Sequence, residues 1–258
     1  MDLEKAPHSN LDGLLNHNTI VKRSDGTEYL KRVPKYDVRV WELILNEYSG
    51  VGFMELGCTL RRRTPDEQLE HLGHIASAGL AALAPAFIDQ EGNHYFQYLR
   101  NAATLDVFLP RASSEELKQV LCDLFEDLRL AHQSGIVYGD RWAENILIIP
   151  SFLTPDNTPV KKVLHIDFDL EISGPVASEF EYAQMVFYAL CAGRNRTLQL
   201  LPEMLAEDVN AVTFNFEAFA HFLKRHAYFF RNDSKFGNSE EIVTNFINSS
   251  YFSKRATV

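Results

Sequence analysis

Residues 113–135, SSEELKQVLCDLFEDLRLAHQSG, open on a serine pair, close on glycine and carry Leu117, Leu121, Leu124, Leu128 and Ala131 at helical spacing. A helix with one apolar stripe must bury that stripe against something. The next thirty-odd residues narrow the choice. They hold two short strand-like apolar runs, NILIIP and KKVLHIDF, the first entered through YGDRWAEN and the second leading into HIDFDLEI. Asp140, Asn145 and Asp167 thus stand at the ends of runs that otherwise want to be buried. Burial alone has no use for a carboxylate there. The three groups are expected to line the mouth of a site and hold something charged.

The chain is long enough for one large domain or two lobes sharing a cleft: it has 258 residues, 46% of them hydrophobic, with 18 Phe and 10 Tyr for a core. The longest nearly apolar stretch, YAQMVFYALCAG, is short of the ~20 residues a membrane helix needs. The acidic, polar opening MDLEKAPHSN has no secretory pattern. Cys58, Cys122 and Cys191 have no metal-type spacing and read as reduced thiols, so a cytoplasmic protein is expected. Net charge is −10, with 11 basic against 14 acidic residues in 1–100 and 14 against 21 in 101–258. A nucleic-acid binder has the opposite sign. The basic cluster Arg61–Arg63 reads as a solvated face.

Along the chain, TIVKRSDGTEYLKRV reads as a hairpin around Asp25-Gly26. YDVRVWELILNEY has helical periodicity. A second helix starts at TPDEQLEHLGHIASAGL, with Thr64 as N-cap, Pro65 in the first turn and Gly79 as the stop. HYFQYL reads as a strand, and RNAATLDVFL as a linker entering a short helix. The loop SFLTPDNTP separates the two apolar runs after the long helix. From Ser178 onward the pattern is helical, EFEYAQMVFYALCAG most clearly.

Asp140 and Asn145 are five residues apart, a spacing that Asp233 and Asn238 share in DSKFGN. Context separates the pairs. Asp140 lies between a capped amphipathic helix and an apolar strand, with a second strand ending in Ile166-Asp167-Phe168; Asp233 has neither. LAHQSGIVYGDRWAENILI followed by VLHIDFDLEI resembles the catalytic and metal-binding loops of the protein-kinase-like superfamily, in particular its atypical branches with H-G-D in the first loop. YFQYLRNAATLDVFL is similar to the strand, hinge and following helix between that family's lobes.

The resemblance covers most of residues 20–190 and implies an α+β, two-lobed fold with a strand-rich N-lobe and a mostly helical C-lobe. It implies a single domain over 1–258: N-lobe about 1–99, hinge about 97–103, C-lobe about 104–258. It makes Asp140 the carboxylate that accepts or orients the acceptor hydroxyl proton. Asn145 and Asp167 become oxygen ligands of Mg²⁺, and Gln97 and Leu99 hinge contacts of ATP. The phosphate-pairing lysine is expected in the strand after the hairpin: Lys31, on the alternation face of Tyr29 and Val33, with Lys22 and Lys35 as competitors. Its acidic partner stays open between Glu42, Glu67 and Glu70.

The chain also departs from the family pattern. No G-x-G-x-x-G precedes the hairpin; HSNLDGLLNHNTI has Gly13 alone. Tyr138 stands where His is usual, Trp142 where Lys is common, and Asp169 replaces the glycine after Phe168, as a cap of the next turn in preference to a metal ligand. No A-P-E or activation segment comes after Asp167. The expectation is a compact atypical kinase moving the ATP γ-phosphoryl to a protein Ser or Thr hydroxyl. The rivals are a small-molecule or sugar kinase on the same fold and a pseudokinase that only binds. No nucleic-acid partner is expected. His71 and His74 have no third ligand nearby for zinc. His132 suits a helix C-terminus, and the aromatics of FNFEAFAHFLKRHAYFF suit a core.

Overall fold

The computed structural model describes residues 3–5, 15–35, 37–153, 159–211 and 213–249. Strand β1 (Leu3–Lys5) pairs with β2 (Asn16–Arg23), which forms the expected hairpin with β3 (Glu28–Pro34). The hairpin turn works because Gly26 takes φ +89° and the Asp25 carboxylate accepts the Thr27 N–H at 2.8 Å. The segment containing Gly13 lies outside the described residues.

After β3 the chain runs through α1 (Val38–Gly50), β4 (Thr59–Arg62) and α2 (Pro65–Ser77) before returning through β5 (Phe87–Ile88) and β6 (His94–Gln97). Asp37 caps α1 by accepting the Arg39 N–H. Thr64 and Glu67 close a capping box on α2, Pro65 opens its first turn, and Gly79 at φ +74° ends it. The antiparallel sheet has the order β1-β2-β3-β6-β5.

The second part begins with β7 (Ala103–Thr104), the short α3 (Leu105–Phe108) and α4 (Ser114–Gln133). Ser113 and Glu116 form the capping box of α4, the predicted stripe from Leu117 to Ala131 is buried, and Gly135 at φ +72° stops it. Strands β8 (Ile146–Leu153) and β9 (Pro159–His165) pair antiparallel. Both reach further than the sequence suggests, so of the expected loop SFLTPDNTP only 154–158 lie between strands, outside the described residues.

Then comes β10 (Leu170–Ser173), paired antiparallel with β4, Leu170 opposite Arg62. Neither strand stands out in the sequence. Each is four residues long, and β4 alternates exposed with half-buried positions, too weak a pattern to read locally. Arg62 and Arg63 turn inward there: Arg62 donates to the carbonyls of Lys35 and Leu15, Arg63 to those of Phe168 and Leu170. Arg61 alone keeps the predicted solvated character, paired with Glu67 and Glu171.

Helix α5 (Ala177–Gly193) is buried along nearly its whole length, with α6 (Asn195–Met204), α7 (Ala206–Asn210), α8 (Phe216–Phe229) and α9 (Ser239–Ile247) completing the chain's helical end. Phe180 and Phe187 of α5 meet Phe222, His226, Phe230 and Phe236 ring to ring. Burying each such ring contributes about 1.5–3 kcal/mol. The architecture is α+β, an N-terminal antiparallel sheet followed by a helical C-terminal part, as expected. Among the described residues no helix is long and apolar enough to cross a membrane, and the three cysteines are free.

Candidate active site

The loop after α4 runs against the buried helix α5, which holds it with two polar side chains one turn apart. Glu181 accepts the Gly139 N–H at 2.6 Å, its other oxygen lying 2.7 Å from His132 Nε2. Gln184 accepts the Arg141 N–H at 2.6 Å and donates to Asp140 Oδ1 at 3.2 Å. Gly139 takes φ +109°, and a Cβ there would run into the Leu170 carbonyl oxygen. Asn145 ends a single 3₁₀ turn, Ala143–Asn145, and its Nδ2 donates to the Asp140 carbonyl at 3.1 Å. The spacing of five has a use: the amide folds back on the peptide of the aspartate.

Arg141 links this loop to the second. Its guanidinium is fully buried and donates to the carbonyls of Ile166 and Asp167 at 3.2 and 3.1 Å. It lies 5.6 and 5.1 Å from the ring centres of Tyr138 and Phe168. Asp167 has a left-handed backbone, φ +63°, a region that aspartate enters more readily than most residues other than glycine. Tyr138 stacks on His165 at 4.3 Å between ring centres.

The cleft in front of these loops is a cavity of about 490 Å³, which collects Asp140, Asn145 and Asp167 with Asp169, Asn16, Glu47, Tyr48 and Glu144. Opposite the loops, strand β3 contributes a cation, but not Lys31. Arg32 Nη1 lies 3.1 Å from Asp167 Oδ1 and 3.6 Å from Asp169 Oδ1, with its guanidinium 5.1 Å from the Phe96 ring centre. Neighbours on a strand point to opposite faces. Lys31 therefore shares the Tyr29 face as predicted, but that face carries the small cluster of Val21, Tyr29 and Tyr95, where Lys31 Nζ is 3.8 Å from Asp89. The structure does not bring Lys31 to Asp140 and Asp167.

Of the other lysines, Lys22 is exposed on β2 and Lys35 is half-buried just after β3. Of the acidic candidates, Glu67 is committed to its capping box and Arg61, Glu42 is exposed on α1, and Glu70 faces a separate polar cavity behind α2. Gln97 is exposed at the end of β6 and Leu99 accepts the Ala102 N–H in a turn; neither lines the cavity of Asp140.

Among the described residues Asp169 caps no turn; its carboxylate faces the cavity, takes a hydrogen bond from Asn16, and leaves Oδ1 buried with the Arg32 ion pair and no hydrogen-bond partner. Burial, opposed by the Tyr48 hydrogen bond and Arg141, pushes the Asp140 carboxyl up to about 6. Burial and the nearby Asp167 charge push Asp169 up to about 6 against the pull of Arg32. Burial and Asp140 push Glu47 up to about 8. Crowded, partly uncompensated carboxylates are where a hard cation gains most. Mg²⁺ is ordinarily held by one or two carboxylates together with phosphate oxygens and water. Asn145 and Asp167, with the unsatisfied Asp169 oxygen near them, fit such a partial ligand set.

Several of these residues escaped the sequence reading: Arg32, Asn16, Glu47, Tyr48, Arg141, Glu181 and Gln184. Two had a readable signal. Glu181 and Gln184 are polar intrusions three apart in the otherwise apolar run Phe180–Leu190, which an internal partner explains. Asp233 accepts the Lys235 N–H at a short helical turn and Asn238 sits at φ +63°; neither lines the cavity of Asp140. His71 is pushed down to about 3 by burial and by Arg63 and Arg141, and lies edge-on to Phe168.

No family model and no curated protein matches the chain. Solved structures do match it, at low identity. A structure of WaaP in complex with acyl carrier protein is 14% identical, covers 93% of this chain and 89% of its own, and superposes with a TM-score of 0.49. The choline kinase LicA from Streptococcus pneumoniae is 10% identical, with 98% and 94% covered and a TM-score of 0.47. The Rio2 kinase of Chaetomium thermophilum, as an ADP/Mg²⁺-phosphoaspartate complex, is 14% identical, with 98% and 73% covered and a TM-score of 0.43.

Proposed function

We propose that the chain is a protein-kinase-like phosphotransferase that moves the γ-phosphoryl of ATP to a hydroxyl with Mg²⁺. The observation that carries this reading is the meeting of Asp140, Asn145 and Asp167 in one cavity, with Arg32 across from Asp167. Asp140 orients the acceptor hydroxyl and takes up its proton. Asn145 and Asp167 would hold the metal, which supplies charge neutralisation on the phosphates when bound. Arg32, released from part of its pairing, is the cation available to a phosphate oxygen from the sheet side. Such a site works by positioning, and the buried contacts from α5 and Arg141 supply it. A binding-only role has no need of an aspartate pinned this firmly.

The acceptor has two readings. The −7 charge of residues 101–258 favours a basic protein surface bearing Ser or Thr. The wall formed by Ile44, Glu47 and Tyr48 of α1 favours a small hydroxyl compound, since it encloses the cavity at Asp140 to a volume typical of small-molecule sites. Labelled ATP and fractionated cytosol decide between them: label in small molecules selects the second reading, label in protein the first. Asp140→Ala should lower turnover roughly 10²–10⁴-fold with ATP affinity nearly intact, while Asp233→Ala stays at the wild-type rate. Equal losses at both positions would remove the assignment of Asp140.

A further inference from the structure

Helix α1 sits between β3 and β4, outside every motif that pointed to the site, yet it reaches the centre of the cavity. Tyr48, 2% exposed, donates its hydroxyl to Asp140 Oδ1 at 2.8 Å. Its ring is wedged against Phe53 and Phe180, centroids 5.3 Å away in each case. The helix is held against α8 where Gly50 leaves room only for the Phe229 ring. Gln184 donates to the same oxygen from the opposite element, α5. Both donors therefore fall on Oδ1, and among the described residues none falls on Oδ2.

Resting on the assignment of phosphotransfer to this cavity, we propose that Tyr48 is a positioning residue: with Gln184 it fixes the Asp140 carboxylate through Oδ1 so that Oδ2 meets the acceptor hydroxyl. A carboxylate on a single Cβ has a broad χ2 torsion, and two donors on one oxygen from opposite sides remove that freedom. The tyrosine hydroxyl stays protonated, because burial and Asp140 push its ionisation well above the ordinary tyrosine range. It remains a donor throughout the cycle. The consequence is that the seating of α1 on α8 is read out at the reacting centre.

Tyr48→Phe tests this cleanly, since it keeps the ring packing and deletes one hydroxyl. The readout is ATP hydrolysis with Mg²⁺, water standing in for the acceptor hydroxyl. The expected result is a kcat about 10–100-fold lower, the loss of one hydrogen bond to a charged group, with KM for ATP changed less than about 2-fold. In an Asp140→Asn background the same substitution should change nothing further, because the two residues act as a unit. An unchanged kcat, or the same loss in both backgrounds, would overturn the positioning role and leave phosphotransfer standing if Asp140→Asn alone is strongly slowed but still measurable. A wild type that turns over no ATP, or Asp140→Asn at full rate, removes the phosphotransfer reading and this proposal together. Gln184→Met, which deletes the second donor, should also lower kcat in the wild-type background; no loss there counts against the pinning of Oδ1.

Discussion

Asp140, on the wall of the cavity, and Arg32, buried behind the Asp167 and Asp169 carboxylates that face it, are anchored differently. The aspartate loop is fastened from behind by Glu181 and Gln184 of a buried helix, and from the side by Arg141, which is itself fully buried. Arg32 stands on a strand of the five-stranded sheet, and its charged contacts are the two carboxylates it neutralises, Asp167 and Asp169. One side is rigid before any ligand arrives. The other is a counter-ion arrangement that a metal and phosphates would replace. On the proposed function the difference has a use: the group assigned to chemistry is fixed, while the charge-balancing group can exchange partners.

Breaking the rigid side should cost most. Gly139→Ala puts a Cβ into the Leu170 carbonyl at a φ that alanine avoids, and is expected to destabilise the fold by about 4 kcal/mol. Chemical denaturation measures it; a loss under about 1 kcal/mol would mean that the loop is not clamped at Gly139. On the exchangeable side, Arg32→Ala leaves the buried Asp169 and the part-buried Asp167 without their counter-ion and should cost about 3 kcal/mol without metal. Saturating Mg²⁺ should recover part of that cost, because the cation takes the vacated role. Lys31→Ala, beside it on the other face, should stay within about 0.5 kcal/mol. The reverse ranking would return the phosphate-side role to Lys31.

The last test concerns pH. Glu47 is pushed up to about 8, so the folded protein keeps a proton that the unfolded chain loses above its ordinary value of 4.5. That contribution is complete below about pH 4.5 and declines as pH rises through about 8, at no more than about 1.4 kcal/mol per pH unit. Stability of Glu47→Gln should fall less over that interval. Parallel pH profiles for the two proteins would sink the assignment.

Much of this molecule is legible in its sequence. The caps at Thr64 and Ser113, the glycine stops at 79 and 135 and the Asp25-Gly26 turn are local signals, and local physics decides them. The loop Asp140–Asn145 is legible because its polar residues contradict the apolar runs around them. What stays hidden is long-range. The pairing of β4 with β10 joins residues more than a hundred positions apart, and the Tyr48 contact spans 92. Lys31 and Arg32 differ only in which sheet face becomes the cleft, a choice made by what packs on the sheet and not by the strand itself.

The central claim is that Asp167 holds a metal with the phosphates of a nucleotide, and thermal stabilisation by ATP with and without Mg²⁺ tests it most directly. The wild type should gain stability from ATP only when Mg²⁺ is present, and Asp167→Ala should lose that gain entirely, because a direct anionic ligand is gone. An Asp167→Ala protein that still gains stability from ATP only with Mg²⁺ would contradict that claim.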